Sequence, residues 1–192
     1  SGTALLASTY LGGSANDGVN MNPAFYGNQD SLDYNYGDAS RSEVIVDKAG
    51  NIYLAASSRS GNFPTTATAV KTSLGGSQDG IFVKMNSGLS NLLYSSYIGG
   101  SKADAAYVLA LDTAQSHVYV GGGTVSTDFQ SANTAGAYQS SYQGGIADGF
   151  ICRFANSGSY TLLGATFVGT SAYDQVYGLQ TDLEDGVYAM GQ

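Results

Sequence analysis

The densest set of potential ligands in this chain is a run of oxygen donors: Asn28, Asp30, Asp33, Asn35 and Asp38. Carboxylate and amide oxygens at that density suit a hard cation, Ca²⁺ above all. Asn28, Asp30, Asp33 and Asp38 are therefore the candidate metal ligands, and Ca²⁺ is the one candidate cofactor. Their spacing does not match the EF-hand loop, and Asn and Asp are also ordinary turn formers. Tyr34 and Tyr36 lie in the same run. Exposed tyrosines on a loop are a common recognition surface for carbohydrate or protein, since the ring is apolar and its hydroxyl polar. These two are the candidate binding surface.

The remaining reactive side chains stand alone. His117 is the single histidine and has no motif around it, so a histidine-based metal site or a catalytic triad lacks its partners. Cys152, the single cysteine, alternates with Phe150 and Phe154 and reads as a small core residue on a strand. Lys84 and Arg153 recur at equivalent positions; they would face away from that apolar set, either to pair with Asp79 and Asp148 or to meet solvent. Asp104, Asp112, Asp174 and Asp182 recur with the repeats and read as turn chemistry. There is no phosphate-binding glycine loop, metalloprotease helix motif or Gly-x-Ser-x-Gly elbow. No catalytic residue is expected, and the chain reads as a non-enzyme.

Composition narrows the partners. A net charge of -8 repels polyanions, which excludes nucleic acid as a partner. No apolar run approaches the roughly 20 residues that span a bilayer, so no transmembrane segment is expected. The opening Ser1-Gly2-Thr3 has neither the basic nor the apolar region of a signal peptide. Charged residues are only 11% while 43% are apolar, which disfavours both long surface helices and disorder.

The elements that must position these side chains are repeats. Leu6-Ala7-Ser8-Thr9-Tyr10-Leu11-Gly12-Gly13-Ser14 returns as Leu93-Tyr94-Ser95-Ser96-Tyr97-Ile98-Gly99-Gly100-Ser101, and again as Leu163-Gly164-Ala165-Thr166-Phe167-Val168-Gly169-Thr170-Ser171. Asp79-Gly80-Ile81-Phe82-Val83-Lys84 returns as Asp148-Gly149-Phe150-Ile151-Cys152-Arg153. Tyr97 to Phe167 spans 70 residues and Asp79 to Asp148 spans 69, whereas Tyr10 to Tyr97 spans 87. The first copy therefore carries an insertion, at about 20–38. Each copy holds short runs of strand character bounded by Gly, Asp or Ser: 5–11, 43–47, 52–57 and 80–86; then 92–98, 106–112, 117–122 and 149–155; then 161–168, 175–182 and 187–190. Asp47-Lys48-Ala49-Gly50-Asn51 suits a hairpin turn closed by a left-handed glycine. The long joins at about 59–78 and 126–147 suggest ordered outer loops.

Tandem units of four antiparallel strands are the pattern of β-propeller blades. The expected fold is all-β: a partial propeller of about two and a half blades. Residues 1–90 form blade 1 with the insertion, 91–159 blade 2 and 160–192 an incomplete blade 3, together one part of a larger propeller. Eleven strands do not close a ring of four to eight blades, so other blades of a longer chain or neighbouring subunits are the expected partners.

The phrases Tyr-Leu-Gly-Gly-Ser, Val46-Asp47-x-x-Gly50-Asn51-x-Tyr53, Asn62-Phe63-Pro64-Thr65-Thr66 and Asp79-Gly80-Ile81-Phe82-Val83-Lys84 resemble the SBBP β-propeller repeat of bacterial proteins. The resemblance covers most of the chain apart from the insertion. The second copy departs from it, with Ser116-His117 for Gly-Asn and Asp128-Phe129-Gln130 for Asn-Phe-Pro, which puts local turn geometry in question. It implies a module of secreted or cell-surface bacterial proteins, often exported by type IX secretion, without a general enzymatic activity. The expected function is a non-catalytic extracellular scaffold, adhesion or protein-interaction module, with a glycan or a surface protein as further partners. The alternative is a subunit of an extracellular polymer or a secretion-associated assembly. A third reading, a carbohydrate-active enzyme, would need paired carboxylates in a central pocket.

Overall fold

The computed structural model describes residues 3–20, 32–33, 37–129 and 134–192. Among them the protein is all-β, with ten strands and one 3-10 turn at Asp38–Ser40. Strands β1 (Glu43–Val46), β2 (Ile52–Ser58), β3 (Asp79–Met85) and β4 (Leu92–Ile98) form one antiparallel sheet in that order. Strands β5 (Asp104–Leu111), β6 (His117–Thr124), β7 (Asp148–Ala155) and β8 (Leu162–Val168) form a second sheet of the same order. Strands β9 (Val176–Thr181) and β10 (Val187–Gly191) pair as a third, two-stranded sheet.

Local chemistry explains the hairpins. Gly50, at φ 82°, occupies the left-handed position between β1 and β2. Asp47 Oδ1 accepts the backbone N–H groups of Ala49 at 2.9 Å and Asn51 at 2.8 Å. Asp182 does the same between β9 and β10, with Glu184 at 2.9 Å and Gly186 at 2.8 Å. The departure in the second copy lengthens the turn by one residue without breaking it. The Asp47 N–H reaches the Asn51 carbonyl, whereas the Asp112 N–H reaches that of His117, one residue further on. Gln115 takes the left-handed place at φ 56°, and Asp112 Oδ1 holds the Ser116 and His117 N–H groups at 2.6 and 3.1 Å.

Two expectations change. Residues 5–11 form no strand, although they repeat the sequences of β4 and β8. The sheets also take their strands in a different frame from the sequence blocks 1–90, 91–159 and 160–192. Leu92–Ile98 closes the first sheet rather than opening the second, and Leu162–Val168 closes the second. Each sheet crosses to the next through the Gly-Gly-Ser or Gly-Thr-Ser turn, not through the long join. That join runs instead along the outer strand: Thr66 N–H reaches the Ser95 carbonyl at 3.0 Å and Tyr97 N–H the Lys71 carbonyl at 3.1 Å. In the second copy the Phe167 N–H reaches the Gln139 carbonyl at 2.9 Å. These bonds cover the edges of β4 and β8, which would otherwise present unpaired backbone.

The largest core lies between the first two sheets. Tyr53, Phe82 and Tyr94 meet Val118, Phe150, Cys152 and Phe154, all fully buried. Phe82 and Phe154 pack at a tilt, 5.1 Å between ring centres, and Tyr94 and Tyr160 likewise at 5.0 Å. Each buried aromatic contributes about 2–3 kcal/mol. A second, smaller core joins the far face of the second sheet to the third through Tyr107, Val108 and Val176. A third lies on the open face of the first sheet: Ala56, Ile81, Val83 and Tyr97 under Phe63 and Leu11.

Candidate functional site

The most elaborate polar structure is the turn after the Gly-Gly or Gly-Thr phrase, built three times from one pattern and lying between sheets in the second and third copies. A backbone N–H donates to an aspartate four residues on: Gly13 to Asp17 at 2.7 Å, Gly100 to Asp104 at 2.8 Å and Thr170 to Asp174 at 2.8 Å. In the first two copies a serine hydroxyl joins, with Ser60 on Asp17 and Ser126 on Asp104, each at 2.9 Å. Those serines accept the N–H groups of Ala15 and Lys102. Asn62 and Asp128 accept the N–H groups of Ser14 and Ser101, each at 2.9 Å. The Asn-Phe-Pro phrase thus keeps its oxygen acceptor when it becomes Asp128-Phe129-Gln130. Ser60, Ser126 and Lys71 escaped notice in the sequence reading. The signal was there: Ser58-x-Ser60-x-Asn62 matches Thr124-x-Ser126-x-Asp128.

A second aspartate enters the turn from the start of β3 or β7. A Cβ at Gly99 would stand 2.6 Å from both Asp104 Oδ2 and Asp79 Oδ1, so only glycine fits between the two carboxylates. At Gly169 the intruding acid is Asp148, 2.7 Å from the same position. Lys71 Nζ bridges Asp79 Oδ2 at 2.9 Å to the carbonyls of Gly99 and Gly100. Gln139 stands in the matching place, bonding the Gly169 carbonyl at 2.8 Å and its N–H at 2.9 Å. Burial raises the carboxyl of Asp79, although Lys71 opposes the shift. Burial, with the charge of Asp79 adding to it, lifts Asp104 to about 7; burial lifts Asp148 to about 6. Raised, paired carboxylates are the raw material of acid–base chemistry. Here Asp79, Asp104 and Asp148 are all enclosed, so no substrate reaches them, and the two acids at Gly99 act as a structural clasp.

His117 gains partners that its isolation in the sequence concealed. Arg153 Nη2 lies 2.9 Å from Nε2, and Asp112 Oδ2 lies 2.7 Å from Nδ1. Arginine can only donate, so Nε2 accepts and Nδ1 carries the proton toward Asp112. Ser116 Oγ bonds the same Asp112 oxygen at 2.6 Å. Serine, histidine and aspartate therefore meet, but the imidazole nitrogen that would serve as a base is already occupied by Arg153. The cluster braces a turn. Cys152 is enclosed, and burial pushes its thiol far above the ordinary range, which leaves it inert.

The recurring cations do not pair with Asp79 and Asp148. Arg153 turns to His117, and Lys84 is buried, 3.7 Å from Asp47 Oδ2 and over the rings of Tyr53 and Tyr160 at 4.7 and 5.1 Å. Of the candidate cation ligands, Asn28 and Asp30 lie outside the described residues, as do Tyr34 and Tyr36. Asp38 is buried and its Oδ1 receives Arg41 Nε at 3.1 Å, while Asp33 is partly exposed. No group of three or more His, Cys, Asp or Glu side chains suited to a metal occurs among the described residues. No helix among them is long and apolar enough to cross a membrane.

The open surfaces lie at the sheet ends. A cavity of about 460 Å³ separates β8 from the β9–β10 hairpin, lined by Tyr138, Gln139, Phe167, Asp174, Met190 and Gln192 among others. A hollow of about 340 Å³ holds Tyr119, Ile151, Arg153, Gly164 and Val187. Fold and site together define an all-β protein of successive antiparallel sheets, two of four strands and one of two, whose recurring polar residues lock one sheet to the next. Compared with known proteins, the chain matches no family model and no curated protein.

Proposed function

We propose that the chain is a segment of a β-propeller resembling the SBBP repeat, acting outside the cell as a non-catalytic scaffold for protein or glycan partners. One observation carries this reading: the recurring carboxylates are spent on the sheet-to-sheet clasps and hairpin turns, leaving none grouped in an open pocket. Asp104 and Asp174 hold the two crossovers, Asp17 holds the matching turn after residues 5–11, and Asp47, Asp112 and Asp182 hold the hairpins. A fold with its polar repeats so committed offers loops and sheet edges to partners. Arrays of glycans and surface proteins probed with the purified chain are expected to give saturable binding. Reproducible turnover of a polysaccharide by the isolated chain overturns the reading.

A second reading, a subunit of an extracellular polymer or secretion-associated assembly, is favoured by the β10 edge. Tyr188 and Met190 are exposed there on a strand that, among the described residues, pairs with β9 alone. Light scattering distinguishes the two. The scaffold reading expects one chain per particle at micromolar concentration, and the assembly reading expects growth with concentration.

A further inference from the structure

We propose that the folded chain closes a covalent bond on itself: the amine of Lys71 condenses with the carboxyl of Asp79 to an amide, with Asp104 as the proton carrier. The three groups meet at the junction between the first and second sheets, and both of those sheets have four strands. No outside substrate is needed, because the chain supplies both reactants.

Each reactant is held by the backbone around it. Lys71 N–H donates to Ser96 Oγ at 3.1 Å, and its carbonyl accepts the Tyr97 N–H at 3.1 Å, so β4 fixes the lysine from both sides. Asp79 opens β3 opposite Ser58 of β2. Lys71 Nζ then stands 2.9 Å from Asp79 Oδ2. Groups held in this way react as if present at a very high concentration, up to about 10⁵–10⁸ M in well-oriented cases. Gly75 closes the site over them. A Cβ there would lie 2.2 Å from Nζ and 1.9 Å from the Gly100 carbonyl oxygen, so only glycine brings the join down onto the amine.

The two oxygens of Asp79 are used unequally. Oδ2 takes the lysine and, at 2.9 Å, the Gly75 N–H. Oδ1 is buried and has no hydrogen-bond partner among the described residues. It lies beside Asp104 Oδ2, both atoms being 2.6 Å from the position of a Cβ at Gly99. Asp104 is itself held by the Thr124 hydroxyl, by Ser126 Oγ at 2.9 Å and by the Gly100 N–H at 2.8 Å. Burial, with the charge of Asp79 adding to it, lifts its carboxyl to about 7, so it holds a proton into the neutral range. A second acid does nothing for the charge balance of an ion pair. Beside an oxygen that must depart, it is a proton source.

The step balances without an oxidant or a co-reactant. One proton of the Lys71 ammonium passes to Asp79 Oδ1, leaving an amine and a carboxylic acid, the forms that burial favours. Nζ attacks Cγ, and the negative charge gathers on Oδ2, where the Gly75 N–H donates to it. Asp104 gives its proton to Oδ1, the Cγ–Oδ1 bond breaks and water leaves. The surplus proton on nitrogen restores Asp104. One ammonium and one carboxylate become one amide and one water. The hydrogen bonds from Nζ to the Gly99 and Gly100 carbonyls, at 3.1 and 2.8 Å, hold the ammonium before closure.

The second junction is an internal control. Asp148 Oδ1 is also buried and without a hydrogen-bond partner among the described residues, but Gln139 stands where Lys71 stands, and its amide nitrogen is no nucleophile. The chain is therefore expected to form one such bond and not two.

Intact-mass spectrometry of the whole purified chain, followed by a tryptic digest, tests this. The chain is expected to be lighter than its sequence by one water molecule. Trypsin is expected to spare Lys71 and to release residues 60–84 as one internally bonded piece. Lys71→Arg, which keeps the charge and loses the amine, is expected to restore the full mass. Asp104→Asn is expected to slow the loss of water by about 100-fold or more, followed by mass after cell-free synthesis. A wild-type chain of full mass overturns the proposal. So does loss of water with Lys71 still cleaved, which places the dehydration elsewhere, as in a succinimide at an Asp-Gly bond. The wild-type mass and digest decide the matter even where a variant fails to fold. The reaction occurs once per chain, so it stands apart from the scaffold reading and from any turnover of a polysaccharide.

Discussion

The junction between the first and second sheets and the junction between the second and third are written in the same repeat, yet one is filled and the other is not. At the first, Phe154 fits against Phe82 and Tyr94, with centroid distances of 5.1 and 6.2 Å. At the second, Ile151 stands where Phe82 stands and Gly164 where Tyr94 stands, and a hollow of about 340 Å³ opens beside them. The polar clasp differs in the same sense. Lys71 neutralises Asp79 at the first junction, while uncharged Gln139 takes its place beside Asp148 at the second. Repetition thus preserves the turn, which needs only backbone and an aspartate, and lets the apolar contact drift where fewer side chains oppose it.

The sharpest way to break this comparison is to empty both junctions. Phe154→Ala is expected to cost about 3–5 kcal/mol, because a tightly enclosed ring leaves a cavity that cannot collapse. Ile151→Ala, beside an existing hollow, is expected to cost less than half of that. Urea unfolding of the two variants measures the difference, and equal costs would mean that the second junction is packed as tightly as the first.

An intermediate effect comes from the buried acids. Asp104 is raised from an ordinary 3.8 to about 7, and Asp148 to about 6. A carboxyl whose pKa is higher in the folded state than in the unfolded chain binds its proton more tightly when folded. Its contribution is therefore complete below the unfolded value and is lost as pH rises through the folded one. The melting temperature is expected to fall between about pH 4 and pH 7. The hairpin aspartates Asp47 and Asp112, held below their ordinary value by the donors on them despite some burial, act oppositely and add stability only above the acid range. Asp104→Asn should flatten the decline toward pH 7 and Asp148→Asn the part below about 6. An unaltered profile in both variants excludes these acids as its source.

The smallest effect sharpens the comparison from the other side. A Cβ at Gly164 meets nothing within 4 Å. Gly164→Ala is therefore expected to stabilise by about 0.5–1 kcal/mol through the entropy of the unfolded chain, as a rise in the urea midpoint. Loss of stability would show that the glycine has a structural duty the hollow does not reveal.

Much of the fold was legible because it is local. Asp47-x-x-Gly50-Asn51 announced its hairpin, and nearly every run of alternating Val, Ile, Tyr and Phe became a strand within a residue or two. The second turn resisted because Ser116-His117 hides a one-residue insertion, absorbed by Gln115 in the left-handed region. Less of the polar structure was legible. His117 seemed solitary because arginine 36 residues away closes its ring of partners, and Lys71 lies in the long join beyond the Asn62-Phe63-Pro64-Thr65-Thr66 phrase. The loop residues Asn28, Asp30, Tyr34 and Tyr36 stand as sequence candidates outside the described structure.

By itself the sequence determined the class of fold, most strand positions and the turn chemistry of two of the three hairpins, since alternation, aspartate and glycine act over a few residues. What only the tertiary structure decided was which strands share a sheet. A tandem repeat has no intrinsic starting point, so a unit that begins with the Gly-Gly phrase and one that ends with it are the same string. Strand pairing and the burial of Phe82 against Phe154 choose between them, because backbone hydrogen bonds and apolar contacts join residues far apart in the chain. That choice makes β4 and β8 the outer strands of their sheets.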